Sequence, residues 1–239
     1  MQSALPVALS AQVALQQRLD TVADNLANVA TPGHLATKVR FEAAVARTGG
    51  PAVAFARGGD PYISTERGAH GATGGALDFA VRGDAWFGIE TPAGTVLTRD
   101  GRFEMDADGT IRSLEGHPVL DPGGARVTLD PGGGPPIAGA DGSLHQGGRI
   151  AAMIGLFETD AQPATRHGNS GVLPEGEPRP VVDRADIGLV QGVVEGSNAE
   201  GVEQMVRLVE ITRGFESVAR MVQRADSTLS EALRTLGGR

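Results

Sequence analysis

The strongest constraint lies near the C-terminal end, where Leu208, Ile211, Phe215, Val218, Val222, Ala225, Leu229, Ala232 and Leu236 recur at alternating intervals of 3 and 4 residues. That spacing places all of them on one stripe of an α-helix, the seam along which helices pack side by side. Ser197 and Glu200, three residues apart just ahead of it, have the pattern of a capping box, in which a hydroxyl and a carboxylate satisfy the first free amides of a helix. Val202, Met205 and Val209 add a second apolar row at the start of the same segment. A helix that is apolar on two sides needs more than one partner.

The N-terminal end mirrors this. Leu15, Leu19, Val22, Leu26 and Val29 follow at intervals of 4, 3, 4 and 3, and the pattern runs back through Gln12, Ala8 and Leu5. Thr31-Pro32-Gly33 ends the predicted helix, because proline cannot extend the hydrogen-bond ladder and glycine permits the turn. Asp24, Asn25 and Asn28 sit just before that stop. They form either a polar face that weakens the helix slightly, or a set of amides that fixes register at a packed interface. The expected interface comprises Leu15, Leu19, Val22, Asn25, Leu26, Asn28, Val29, Leu208, Ile211, Phe215, Val218, Val222, Leu229 and Leu236. A two-helix hairpin leaves much of this apolar surface wet, which points to assembly with further copies or partners.

Between the helices the pattern changes to short alternating runs. Leu77 to Val81, Trp86 to Thr91, Thr95 to Thr98, Arg102 to Met105 and Thr110 to Leu114 read as strands, with turns at Pro92-Ala93-Gly94 and Asp106-Ala107-Asp108-Gly109. Pro118 to Leu120, Arg126 to Leu129, Ser143 to Gln146 and Ile150 to Phe157 are further candidates. Residues 121–148 hold 13 Gly or Pro in 28 positions, which excludes long regular elements there. Residues 158–190 give no clear pattern. The expected fold is α+β with a mostly β centre. A helix over 1–33 leads to an extended arm over 34–76, an antiparallel β-domain of barrel or sandwich type over 77–190, and a helix over 191–239. The two helices are expected to form a coiled-coil-like stalk.

Composition narrows the function. A net charge of −8 with scattered cations, of which Lys38 is the only lysine, disfavours nucleic acid and anionic lipid as partners. Cys is absent, which removes disulfides and thiolate metal sites. No apolar run is long enough to span a bilayer. The apolar N-terminus has no basic residue before Arg18 and runs into the helical repeat, unlike a cleaved signal peptide.

Catalytic patterns are wanting. His34, His70, His117, His145 and His167 show no helix-borne zinc spacing. The Asp106–Gly109 segment places its glycine too early for a calcium loop, and His117 stands where that loop needs glutamate. Gly132-Gly133-Gly134 runs into Pro135 and Pro136, not into a phosphate-binding helix. No cofactor, metal or small-molecule substrate is expected, and the chain reads as a structural protein and not an enzyme. The rival reading is a periplasmic hydrolase using carboxylates such as Glu104 and Asp108.

Several segments resemble the flagellar rod and hook protein family. Leu19 to Gly33, LDTVADNLANVATPG, is similar to its N-terminal motif, and Leu77 to Phe87, LDFAVRGDAWF, to its central one. Thr98 to Leu120 resembles the hairpins that follow, and Gly192 to Val206, with the helix to Leu236, resembles the C-terminal motif. The matches keep the family's order and touch both ends and the middle. His34 departs from the aromatic residue usual after Gly33, and Ala199-Glu200-Gly201 from the usual Asn-rich stretch. The short length and the Glu195-Gly196-Ser197-Asn198 run favour a proximal-rod member over its distal-rod paralogue. The resemblance implies a periplasmic rod subunit of the basal body that transmits motor torque. Its partners would be neighbouring proximal and distal rod subunits and the flagellar export apparatus, with export that leaves the N-terminus uncleaved and no membrane insertion.

Overall fold

The computed structural model describes residues 4–46, 53–159, 165–182 and 184–237, without the side chains of 4–6, 40–46, 53–58, 225, 226, 229–233 and 235–237. It has helix α1 (Ala4–Ala27), helix α2 (Gly201–Gly237) and many short strands between them. The fold is α+β and mostly β.

Helix α1 ends at Ala27, ahead of Pro32. The Thr31 amide donates to the Asn28 carbonyl at 3.1 Å, and the Thr31 hydroxyl meets Asn28 Oδ1 at 3.2 Å. A polar turn therefore ends the helix before proline can. The expected capping box does not form: Ser197 Oγ accepts from the Ala199 amide at 3.1 Å, and the first helical bond runs from Gln204 to the Glu200 carbonyl.

The chain forms two compact units. The helical unit combines Met1–Ala27, Thr37–Tyr62 and Glu200–Arg239. In it α1 packs along α2, and the strands Thr37–Ala46 and Val53–Ile63 pair with each other.

The β-rich unit combines Asn28–Ala36 and Ile63–Ala199. Its largest sheet has six strands in the order Thr165–His167, Gly171–Leu173, Gly94–Thr98, Trp86–Thr91, Leu156–Glu158 and Arg179–Pro180, all antiparallel. A three-stranded sheet joins Arg149–Met153, Ser143–Gln146 and Ile137–Ala138, and two-stranded ribbons complete the unit. No sheet among the described residues closes on itself, so the fold contains no closed barrel. Phe79, Phe87, Phe103, Ile111, Val119, Leu144 and Ile154 lie in the main core, with Phe87 and Phe103 in edge-to-face contact at 5.1 Å. Trp86, Leu97, Leu120, Phe157 and Val172 belong to a second cluster, on alternate positions of the same strands.

The run from Ile150 to Phe157 is not one strand. It splits into Arg149–Met153 and Leu156–Glu158, which belong to different sheets. A Cβ on the intervening Gly155 would stand 2.6 Å from the Phe157 ring and 2.7 Å from the Asp121 backbone, so only glycine lets the chain turn there.

Candidate assembly surface on the terminal helices

The helical seam is partly used within the helical unit. Ala8, Ala14 and Val22 of α1 and Ile211 of α2 are buried, and Leu15, Leu19, Leu26, Leu208, Val218 and Val222 are half-buried. The helices approach closely at Gly214, where a Cβ would stand 3.5 Å from Leu15 Cδ2. Phe215 keeps 37% of its surface exposed. Val29 is half-buried and belongs to the β-rich unit. The side chains of Leu229 and Leu236 lie outside those described.

Asn25 is 2% exposed, and its amide is matched to the backbone of Thr37. Nδ2 donates to the Thr37 carbonyl and Oδ1 accepts the Thr37 amide, each at 2.8 Å. Asn25 thus behaves like a paired strand residue and holds the start of strand Thr37–Ala46 against α1. Both hydrogen bonds stay inside the chain, as does that of Asn28. Asn25→Ala is expected to destabilise the protein by about 2–3 kcal/mol, because two hydrogen bonds go and two backbone groups lose their partners. Urea unfolding at constant m-value checks this.

Beside Asn25 lies a cleft of about 610 Å³ between α1, α2 and the paired strands. Leu15, Val22, Val39 and Ile211 give it an apolar lining, and Arg18, Lys38, Arg207 and Glu210 are its charged members.

The other side of α2 is wet. Val202, Met205, Val206 and Val209 are 78%, 56%, 54% and 50% exposed. Ile211 follows Val202 by about two and a half turns and so points the opposite way. On α1, Leu9 and Val13 are also exposed, away from Val22. The helical unit therefore carries apolar rows on the sides opposite its own packing face.

The sequence motifs meet in the β-rich unit. Gly33 donates its amide to the Glu195 carbonyl at 2.8 Å. Asn198 Oδ1 accepts from the Ala36 amide at 2.6 Å, while Nδ2 donates to the carbonyls of Ser64 and Glu66 at 3.2 and 2.6 Å. His34 is fully buried, with Nδ1 donating to the Asn169 carbonyl at 2.8 Å. Arg166 donates to the Leu35 carbonyl. The centre of this knot is an ion pair that the sequence reading missed. Arg99 Nη1 donates to Glu195 Oε2 at 3.2 Å with both side chains almost wholly buried, and Glu195 Oε1 accepts from Gly68 at 3.0 Å. Burial pushes the Arg99 guanidinium down from its usual range, and Glu195 holds it up. The guanidinium also lies 4.7 Å from the centre of the Trp86 ring. Both residues lie in stretches that resemble the family, Thr98 to Leu120 and the Glu195-Gly196-Ser197-Asn198 run, but nothing in either stretch names the other as its partner.

One carboxylate of the rival hydrolase reading, Asp108, has other work. Asp108 accepts the amide and hydroxyl of Thr110 at 3.2 and 3.1 Å, and these bonds, the amide's first, hold it below the usual carboxylate range. A carboxyl group that acts as general acid needs a shift in the opposite sense. Among the described residues no group of three or more His, Asp or Glu is placed to hold a metal, and no helix is long and apolar enough to cross a membrane.

Paired terminal helices with apolar rows on two sides, in one chain with an antiparallel β-rich unit, make up an assembly subunit. Residues 5–34 match the family model described as flagella basal body rod protein, and residues 80–148 the flagellar hook protein FlgE/F/G D1 domain. Residues 190–235 match the flagellar basal body rod FlgEFG protein C-terminal model. The chain is 52% identical to the flagellar basal-body rod protein FlgF of Mesorhizobium japonicum over all of both chains. It is 46% identical to that of Rhizobium meliloti, covering 100% of this chain and 99% of the other. To that of Caulobacter vibrioides it is 35% identical over 99% of each. The chain belongs to the flagellar basal-body rod protein family and is most like the FlgF proteins; it is a structural component of the basal body and not an enzyme.

Proposed function

We propose that this chain is a subunit of the proximal flagellar rod, which polymerises through α1 and α2 and passes torque from motor to hook. The observation that carries the reading is the exposed row Val202, Met205, Val206 and Val209 on α2. Four large aliphatic side chains on two helical turns form the kind of patch a monomer rarely leaves in water. The helices then act as a coiled-coil-like stalk whose inner seam is filled by the chain itself and whose outer rows are filled by neighbouring rod subunits. In this reading the chain assembles in the periplasm after export that leaves its N-terminus intact, as the likeness to rod proteins implies. The likeness to FlgF relatives along the full chain favours the proximal over the distal rod.

Val209→Lys tests this. Residue 209 is half exposed, so the variant should fold and accumulate normally. Placing an ammonium in a dry interface is costly, and the strain is expected to lose swimming and yield basal bodies without a complete rod. Normal motility at normal protein level would overturn the assignment of this row to the rod interface.

A further inference from the structure

We propose that His117 and His167 bind a zinc-class divalent cation between them, and that the cation staples an edge strand of the β-rich unit to a neighbouring turn. The inference stands apart from the rod reading, and both residues belong to the β-rich unit. The two rings lie with their centroids 6.3 Å apart and their planes tilted by 57°. Two imidazoles that share one zinc, each with nitrogen at about 2.0–2.1 Å, have centroids roughly 5–6.5 Å apart. The pair is therefore within reach of one ion with little side-chain movement. Both backbones are held. The His117 amide donates to Ser113 Oγ at 3.2 Å, and the His117 carbonyl accepts the Ser113 amide at 2.8 Å. His167 ends strand Thr165–His167, the outermost of the six-stranded sheet, opposite Gly171. The two side chains are half-buried, and among the described residues neither ring makes a hydrogen bond or ion pair. His34 and His145, by contrast, are engaged by Asn169 and Ser143. The surrounding charges favour a cation. The Glu115 carboxylate oxygens lie 3.2 and 3.3 Å from the place a Cβ would take on Gly168, next to His167. Arg102 and Arg112 are paired with Asp100 and Asp106. Arg166 points to the other face of its strand from His167, where it donates to the Leu35 carbonyl. Neutral imidazoles select late first-row ions such as zinc over magnesium and calcium, which prefer oxygen, and water completes the shell.

The test uses the full chain, free of any histidine tag and stripped with chelator. Calorimetric titration with zinc should show one site per chain, and magnesium should give no binding under the same conditions. His117→Ala and His167→Ala should each weaken zinc binding at least tenfold. His70→Ala, which removes an exposed histidine elsewhere in the unit, should leave it unchanged. The affinity should fall in acid, because a protonated imidazole is no ligand. Zinc at saturation should also slow amide exchange in strand Thr165–His167 at least tenfold, which a cation held by His117 or His167 alone would not do. If an alanine variant fails to fold, nickel added to the unaltered chain decides: it should broaden the ring-proton signals of His117 and His167 together, ahead of those of His70. No binding at millimolar zinc, binding that both alanine variants retain, or broadening that spares either ring overturns the site. Zinc binding that leaves exchange in Thr165–His167 unchanged overturns the staple.

Discussion

Arg99→Met is expected to cost about 3–5 kcal/mol of folding stability, the scale for breaking a buried ion pair from one side. Glu195 is 1% exposed, and without Arg99 its carboxylate keeps only the Gly68 amide as a buried hydrogen-bond partner among those described. The loss is a large share of the roughly 5–15 kcal/mol that holds a typical domain together. Removing both charges should recover part of it, so Arg99→Met combined with Glu195→Gln is expected to be more stable than Arg99→Met alone. Glutamine keeps an acceptor for Gly68 and has no charge to strand. Urea unfolding of the three variants against the unaltered chain decides the matter. If Arg99→Met alone loses less than about 1 kcal/mol, a range ordinary for surface substitutions and mild truncations, the pair is not the centre of the knot described above.

Gly33→Ala should be as severe for a different reason. Gly33 has φ +68°, a conformation costing an L-residue about 1–2 kcal/mol. A Cβ would also stand 2.2 Å from the backbone nitrogen of Asp100. No flexible side-chain end is there to move aside, so the strands around Arg99 must shift. The expected loss exceeds about 4 kcal/mol, in the exceptional range for single substitutions, and shows as an insoluble or unfolded chain. Gly74→Ala is the matched control: φ is +73°, but a Cβ there meets nothing within 4 Å. It should cost only the conformational term, about 1–2 kcal/mol. Equal melting temperatures for the two variants would show that the close approach at Asp100 is unimportant.

These predictions centre on residues that a linear reading treats unevenly. The Thr31-Pro32-Gly33 run was legible as a helix stop, though Asn28 ends the helix first and Gly33 is needed for its approach to Asp100. The turn at Asp106–Gly109 was legible because its chemistry is local: the Gly109 amide returns to the Asp106 carbonyl at 2.9 Å. The hairpin Trp86–Thr91 with Gly94–Thr98 was legible for the same reason. By contrast, the addition of Gly171–Leu173 to Gly94–Thr98 was not, because it joins segments more than 70 residues apart. Residues 34–76 suggested only an extended arm, since their alternation is broken by Gly and Pro, yet they supply the strands that line the cleft beside Asn25.

The sequence by itself determined that both ends are helical, that the middle is antiparallel β, and that the chain carries the motifs of the rod family. Helical and strand periods repeat within a few residues, and a turn needs only its own four, so such signals survive in one dimension. Tertiary structure alone decided which side of each seam is consumed inside the chain. It turned Asn25 toward Thr37, buried Ile211, and left Val202, Met205, Val206 and Val209 in water. It also brought Arg99 to Glu195 across 96 positions. Burial and ion pairing depend on where distant segments come to rest, and the spacing of residues along one helix is the same whether its neighbour belongs to the same chain or to another.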